Sequence, residues 1–376
     1  MLDAKTAVVV GGNLNGDIYT GTILRTTDGG ASWSSLPGGG RGLLYGVSFS
    51  DANTGTAVGV GKILRTTNGG ASWTSQSNES WADLCSVSFI DVNTGIAVGW
   101  GGEILRTSNA GATWTTDMSW TSVSMNAVSY GDANVGMMVG GYGTIFRTTD
   151  AGATWASLAT ELDISLHGVS CVGPSTATVL GDSAIFRTTD GGMTWTRQSS
   201  GTTSYLSGVS FSDVQSGVIV GGDGTILRTS NGGATWTGQA SGTTSSLISV
   251  SFTDRSMGTA VGAGGTILRT TTGGTTWIRG DETLPGKPPN LFVLRQNYPN
   301  PFNPTTTIKF ELPRASHVSL VVYDILGRQV SVLVNERKDT GVYEVKFDGS
   351  SLASGVYFYR IQAGDYVATK KLLLMK

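Results

Sequence analysis

Gly21-Thr-Ile-Leu-Arg-Thr-Thr-Asp-Gly-Gly-Ala-Ser-Trp33 decides the fold, because the chain repeats it seven times with small changes. The tryptophan ending each copy falls at 33, 73, 114, 155, 195, 236 and 277, a period of 40 or 41 residues. Such a period marks one supersecondary unit copied around an axis. In residues 44–76, Leu44–Phe49 alternates apolar and small side chains, and Asp51–Gly55 is rich in turn formers. Thr56–Gly59 and Lys62–Thr66 read as two further strands. Thr67–Gly70 is a hairpin signal, and a fourth strand begins at Ala71. Four antiparallel strands in about 41 residues make one β-propeller blade. No stretch holds a 3.6-residue apolar period over ten residues, so a helical repeat is excluded. The expected fold is all-β: a seven-bladed β-propeller with an incomplete first blade, then a small immunoglobulin-like β-sandwich.

Composition agrees. Of 376 residues, 55 are glycine and only 14% are charged, against roughly 25% in an average soluble protein. No run approaches the ~18 apolar residues of a membrane-spanning helix. Net charge is −5 over residues 1–280 and +3 over 281–376, and the repeat region holds two lysines, Lys5 and Lys62. A nucleic-acid partner needs a basic stripe to displace counterions, and none is present. Cys85 and Cys171 lie two repeats apart without metal-ligand spacing, and read as small buried apolar residues. His167 and His317 fall in different regions, so no histidine cluster forms. No cofactor or metal is expected.

The repeated word Thr-x-(Asp/Asn)-x-Gly-x-(Ser/Thr)-Trp resembles the Asp-box, or BNR repeat, of sialidases, sortilin-type receptors and photosystem II assembly factors. The preceding Val-Gly-x-x-Gly-x-Ile-Leu-Arg-Thr is most similar to that last family. The resemblance implies a structural role for the box. Asp28, Asp150 and Asp190 keep the acid, while Asn68, Asn109 and Asn231 replace it with a group that accepts the same backbone bonds. Thr272 departs from the pattern. The box glycine supplies positive φ, and the tryptophan covers the turn. An arginine recurs at 25, 65, 106, 147, 187, 228 and 269. It reads as structural, paired with box acids or stacked on tryptophan. The alternative is an anionic-partner patch, since the assembly-factor family carries an arginine-rich surface.

Asp3–Val10 aligns with Asp51–Val58, so the first blade lacks the counterpart of Leu44–Phe49. The N-terminus shows no signal-peptide layout, and both features point to a chain truncated at its N-terminus. At the other end, Asp281–Asn290 holds three prolines and reads as a linker between a propeller at 1–280 and a domain at 291–376. Strands are expected over 306–312, 318–323, 329–334, 342–347, 356–362 and 366–374. Asn300-Pro301-Phe302-Asn303-Pro304, Val322–Val330, Leu352–Arg360 and Lys370–Lys376 resemble the type A C-terminal sorting domain of the type IX secretion system. That implies the secretion machinery as a partner. It also implies an extracellular or outer-membrane-surface location in a Gram-negative bacterium.

What differs between copies marks where a ligand binds. The inter-blade connections carry Arg41, Glu79, Trp81, Asp83, Asp117, Trp120, Glu161, Asp163, Arg197 and Tyr205. The turns between second and third strands add Tyr19, Trp100, Tyr142, Asp182 and Asp223. Tyr45, Cys85, Asn126, His167, Ser207 and Ile248 open the first strands and are expected to ring the central opening. Aromatics and acids on one face suit a glycan, a peptide or an envelope protein. The candidate ligand face is Trp81, Trp100, Trp120, Tyr142, Tyr205, Asp83 and His167. The reading is a binding or adhesion module, with a scaffold factor for envelope complexes as an alternative. A sialidase-type hydrolase is the enzymatic alternative. It requires three non-equivalent arginines and a Tyr/Glu pair at the opening, and no such repeat-breaking set is visible.

Overall fold

The computed structural model describes residues 5–15, 18–76, 83–116, 121–279 and 292–375. The linker over 281–290, together with Glu79, Trp81, Asp117 and Trp120, lies outside them. The chain divides into two compact units, Met1–Glu282 and Thr283–Lys376.

Among the described residues, the first unit forms seven antiparallel sheets, one per repeat. Six have four strands, in chain order. In the second blade these are Leu44–Phe49, Gly55–Gly59, Lys62–Thr66 and Thr74–Gln76. The first strands of successive blades lie side by side around a central cavity. The second strands are buried along their length in most blades, as in Gly55–Gly59, Gly95–Gly99 and Gly217–Gly221. Both of their faces pack against neighbouring blades, which explains why they read as continuous small-apolar runs instead of alternating. The first blade has three strands, Ala7–Asn15, Ile18–Thr26 and Ser34–Leu36, which match the second, third and fourth strands elsewhere.

Inside five of the seven blades, one aromatic residue sets the packing. Phe49 ends a first strand and meets Trp73 edge-on, with ring centroids 6.0 Å apart and planes at 81°. Phe89–Trp114, Tyr130–Trp155, Phe211–Trp236 and Phe252–Trp277 repeat the contact. The same ring lies over the glycine that opens the second strand: a Cβ on Gly55 would sit 2.6 Å from Phe49, and one on Gly217 2.6 Å from Phe211. The fifth blade has Cys171 in place of the aromatic, and its partner across the ladder is Ala177. With no bulky ring overhead, a methyl fits.

The blades are joined by their arginines. Arg25 Nε donates to the Gly69 carbonyl of the next blade's box at 2.8 Å, and Arg65 Nε to that of Ala110 at 2.7 Å. Arg228 Nε reaches the Gly273 carbonyl at 2.6 Å. Arg269 of the last blade reaches the Gly29 carbonyl of the first at 2.7 Å, closing the ring. Arg187 donates to the Val214 carbonyl at 2.6 Å and lies 4.8 Å above the Phe211 ring. Arg147 makes a longer bond, 3.4 Å, to the Pro174 carbonyl. Six of the seven arginines thus donate to carbonyl oxygens of the neighbouring blade's turns and not to the box acids, while Arg106 Nε is buried with no hydrogen-bond partner among the described residues.

The second unit is a β-sandwich. One sheet holds Val293–Leu294, Thr305–Leu312 and Gly341–Asp348. The other holds Gln329–Lys338, Ser316–Tyr323, Gly355–Ala363 and Tyr366–Leu374. Their inner faces alternate and bury Ile308, Phe310, Leu320, Val322, Tyr359 and Ile361. The six strands expected from the sequence are present, and Val293–Leu294 adds a short seventh.

Two measurements probe this packing. Arg269→Ala removes a charged hydrogen bond at the seam, and is expected to cost about 1.5–3 kcal/mol by denaturant unfolding. Tyr130 carries a buried hydroxyl with no hydrogen-bond partner among the described residues, where four other blades use phenylalanine. Tyr130→Phe is therefore expected to leave stability unchanged or raise it by up to about 1 kcal/mol.

Candidate functional site

The seven boxes are turns held by their own side chains. Thr26 Oγ1 donates to Asp28 at 2.7 Å and accepts the Gly30 N–H at 2.9 Å. Asp28 also accepts the Ser32 N–H at 2.9 Å and its hydroxyl at 2.6 Å. Asn68 keeps the arrangement by reversing one bond: its amide donates to Ser72 Oγ at 2.9 Å while its oxygen accepts the Ser72 N–H at 2.9 Å. Asn109 and Asn231 do the same with Thr113 and Thr235. Thr272 substitutes a hydroxyl, 2.8 Å from Thr276 Oγ1. The bonds from the Thr154 hydroxyl and N–H hold the Asp150 carboxyl down at about 2, and those from Thr194 do the same for Asp190.

The box turns join third to fourth strands, so the turns joining second to third strands lie at the opposite end of each blade. The central cavity, with a volume of about 610 Å³, runs along the first strands and reaches that end. Tyr45, Cys85, Asn126, His167, Ser207 and Ile248 all line it, together with Trp100 and Tyr205. Two aromatic pairs bridge adjacent blades there. Tyr45 and Trp100 have ring centroids 6.4 Å apart, and His167 and Tyr205 4.9 Å apart. Trp100 is 52% exposed and Tyr205 45%, so both keep ring faces open to solvent. Asn126 donates to the Leu166 carbonyl at 2.8 Å, fixing its amide across a blade boundary.

The cavity wall holds no arginine, lysine or carboxylate among the described residues. Burial shifts its titratable groups towards their neutral forms. Burial depresses His167, with Asp182 at 3.7 Å acting weakly the other way. Burial, with the nearby Asp83 carboxylate, pushes the Cys85 thiol up to about 11, and raises Tyr45 in the same way. Cys85 and Cys171 are free and only partly buried. Cys85 is thus a wall residue and not the core residue its composition suggested. Burial raises the Cys171 thiol to about 12.

The other candidates stand apart from the wall. Tyr142 is 81% exposed at the tip of its turn, in a left-handed conformation (φ 52°). Asp223 holds the same conformation (φ 55°), where the third and seventh blades use Gly101 and Gly264. A bulky side chain in this region is uncommon. Asp83 sits beside Tyr45 and Cys85 without lining the cavity. The structure therefore brings Trp100, Tyr205 and His167 together and leaves Tyr142 and Asp83 outside the wall. A valine sector formed by Val8, Val9 and Val10 also lines the cavity. It escapes a reading of repeat-breaking residues, because valines at these positions look like ordinary strand residues.

Residues 77–208 and 198–300, more than half of the chain, match the sequence family described as photosynthesis system II assembly factor YCF48. The chain belongs to this family. Residues 296–375 match the secretion system C-terminal sorting domain. Among solved structures, the YCF48-family propeller is similar to "YCF48 bound to D1 peptide", with a TM-score of 0.57 and 20% identity over 68% of this chain and 90% of that one. YCF48 from Cyanidioschyzon merolae gives 0.53 and 18%, over 82% of this chain and 96% of that one. PorZ, a surface component of the type IX secretion system of Porphyromonas gingivalis, gives 0.53 and 12%, over 99% of this chain and 58% of that one. No curated protein sequence matches the chain. The sorting domain implies secretion across the outer membrane, to the surface or the exterior. No helix among the described residues is long and apolar enough to cross a membrane.

Within the sorting domain, the Asn300–Pro304 motif is bolted to the last strand. Phe302 is buried against Phe347. Its N–H donates to the Leu373 carbonyl at 2.9 Å and its carbonyl accepts the Met375 N–H at 2.9 Å. Asn300 accepts the Leu373 N–H at 2.8 Å. Pro301, Asn303 and Pro304 are exposed. Asp324 pins another turn by accepting the N–H groups of Leu326 and Arg328, which presents Ile325 and Leu326 to solvent at 70% and 72% exposure.

The box acids make a pH prediction. Asp150 and Asp190 are depressed in the fold, so their contribution to stability is full above the unfolded value of 3.8 and is lost as pH falls towards about 2. Asp150→Asn with Asp190→Asn is expected to flatten the pH dependence of thermal unfolding between about 4 and about 2. Near neutrality the fold should hold, because three other boxes already use asparagine.

Proposed function

We propose that this chain is a binding module of the cell surface or medium that captures its ligand at the aromatic mouth of the propeller. The observation that carries this reading is the juxtaposition of Tyr45 with Trp100 and of His167 with Tyr205 around an uncharged cavity. Flat rings with exposed faces, beside small hydroxyl and amide groups, suit a neutral sugar chain or an uncharged peptide segment. A related propeller is described as bound to a D1 peptide, which supports capture of a polymer by this fold. The hydrolase alternative needs arginines and a Tyr/Glu pair at the opening, and the described wall supplies neither arginine nor glutamate. The sorting domain delivers the propeller to the outer-membrane surface of a Gram-negative cell, where such a mouth meets glycans and envelope proteins.

The test is a glycan array and a peptide library probed with the full chain and with Trp100→Ala, Tyr205→Ala and Met193→Ala. Met193 is an exposed box-turn residue on the opposite face and serves as the control. Either mouth substitution is expected to weaken binding at least about tenfold, with the control unchanged. Binding should also be insensitive to salt between about 0.05 and 0.5 M, since no charge is engaged. Ligands retained equally by all three variants would place the site elsewhere.

A further inference from the structure

We propose that the outer face of the four-stranded sheet in the sorting domain is a docking surface for an acidic, apolar-centred protein face of the secretion machinery. The mouth of the propeller plays no part in it. Strand alternation defines the surface. Val318, Leu320, Tyr359, Ile361 and Leu372 belong to the sandwich core, so the residues that alternate with them point outwards. None of the outward positions on the four strands is Asp or Glu, and three are exposed cations, Arg337, Arg360 and Lys371. Exposed apolar side chains lie among them: Val332 at 48%, Phe358 at 36% and Val367 at 46% exposure. The ladder sets them in rows. Val332 stands beside Val321, Arg360 and Thr369 in turn, and Tyr323 beside Phe358 and Lys371. Neighbours in such a row are about 5 Å apart, so cations and apolar groups share borders. Ile325 and Leu326 follow Tyr323 and extend the apolar surface at that end of the sheet.

The opposite sheet supplies the comparison. Its outward positions on Thr305–Leu312 and Gly341–Asp348 mix charge signs, with Lys309 paired to Glu344 at 2.8 Å and Arg295 to Glu311 at 2.6 Å. The remaining ion pairs of the domain, Arg328 with Asp324 and Lys338 with Glu336, are local in sequence. Arg337, Arg360 and Lys371 form no ion pair among the described residues. A solvated face needs no such segregation. One charge sign set among exposed valines and a phenylalanine has the make-up of an interface.

Charge and shape select the occupant. A second copy is ruled out, because a twofold contact would set cations against cations. Membrane binding buries apolar groups about 5–10 Å deep, and valines set between longer arginine and lysine side chains do not reach that depth. An added strand is disfavoured, because the free edge, Gln329–Lys338, carries two register shifts that bulge it. The Asn300–Pro304 motif offers no rival surface of this kind, since Asn300 and Phe302 are committed to the last strand. A receptor that recognises the folded domain therefore reads the basic, apolar face.

The experiment directs the full chain to the periplasm of a type IX-competent host with a Sec leader. It compares the fraction reaching the surface and medium with that retained. Arg360→Glu with Lys371→Glu is expected to cut the exported fraction at least about tenfold, and Phe358→Ser at least about threefold. Lys346→Glu, an exposed cation on the opposite sheet, and Asn303→Ala, an exposed motif residue, should export as the unaltered chain does. Thermal unfolding checks that each purified variant folds. Arg360→Gln with Lys371→Gln, which removes charge without reversing it, should lower export by a smaller factor and serves if the reversal unfolds the domain. A photocrosslinking residue at position 358 should give an adduct with an outer-membrane protein, lost in the charge-reversed chain. Vesicles of phospholipid and lipopolysaccharide should leave the chain unbound at about 0.15 M salt. Normal export of the folded double variants, an equal loss with Lys346→Glu, or a loss confined to Asn303→Ala overturns the proposal. So does an adduct formed only within the chain itself, or vesicle binding that depends on Arg360 and Lys371.

Discussion

In four of the seven blades the ring is tied through one backbone residue, the one preceding the box glycine. In the second blade this is Gly69. Its N–H donates to the Asn53 carbonyl in the turn between first and second strands, and its carbonyl accepts Arg25 of the preceding blade. A single peptide unit thus ties two turns of its own blade together and links that blade to its neighbour. Gly29, Ala110 and Gly273 do the same with Lys5, Asn93 and Ser256 on one side and Arg269, Arg65 and Arg228 on the other. The residue must adopt positive φ to point both groups outward, from 60° at Ala110 to 72° at Gly29. The Thr and Asp or Asn side chains of the box hold it there, so the box serves an intermolecular-style contact between blades without touching a ligand.

This explains which parts were legible in the sequence. The repeat period, the strand count and the box turn are local, and each is written seven times, so its physical reason can be read off any copy. The sevenfold arginine was visible too, yet its partner was not. Its acceptors are turn carbonyls 27 to 45 residues further along, or across the ring for Arg269, and carbonyls carry no sequence signature. The glycine opening each second strand read as a turn residue. Its reason is the Phe49-type ring lying over it, a contact that shows in sequence only through the exceptions, Ala177 opposite Cys171 and Ala7 with no first strand. In the sorting domain, Asn300 and Phe302 stood out as motif residues, and the structure spends both on the last strand.

The mouth follows the opposite rule. Positions that open the first strands face the cavity and carry no load for the ring, so they are free to differ: Tyr45, Cys85, Asn126, His167, Ser207 and Ile248. The sequence placed them around the opening because the period gives each residue an angular address. It did not show that Trp100, from a turn, reaches Tyr45 of the blade before it, or that Tyr205, from an inter-blade connection, reaches His167. Both contacts cross blade boundaries and depend on the width of the ring. The absence of arginine, lysine and carboxylate from the described wall follows from which residues open each first strand and flank it.

The seam between the last and first blades follows the first rule. At most other seams, neighbouring blades share an arginine bond to a turn carbonyl and a serine bond between first strands. At this seam the described residues retain the Arg269–Gly29 bond. The last and first blades are therefore joined at the box end. The ring is thus joined across this seam by the same kind of contact that Arg25, Arg65 and Arg228 make between other blades.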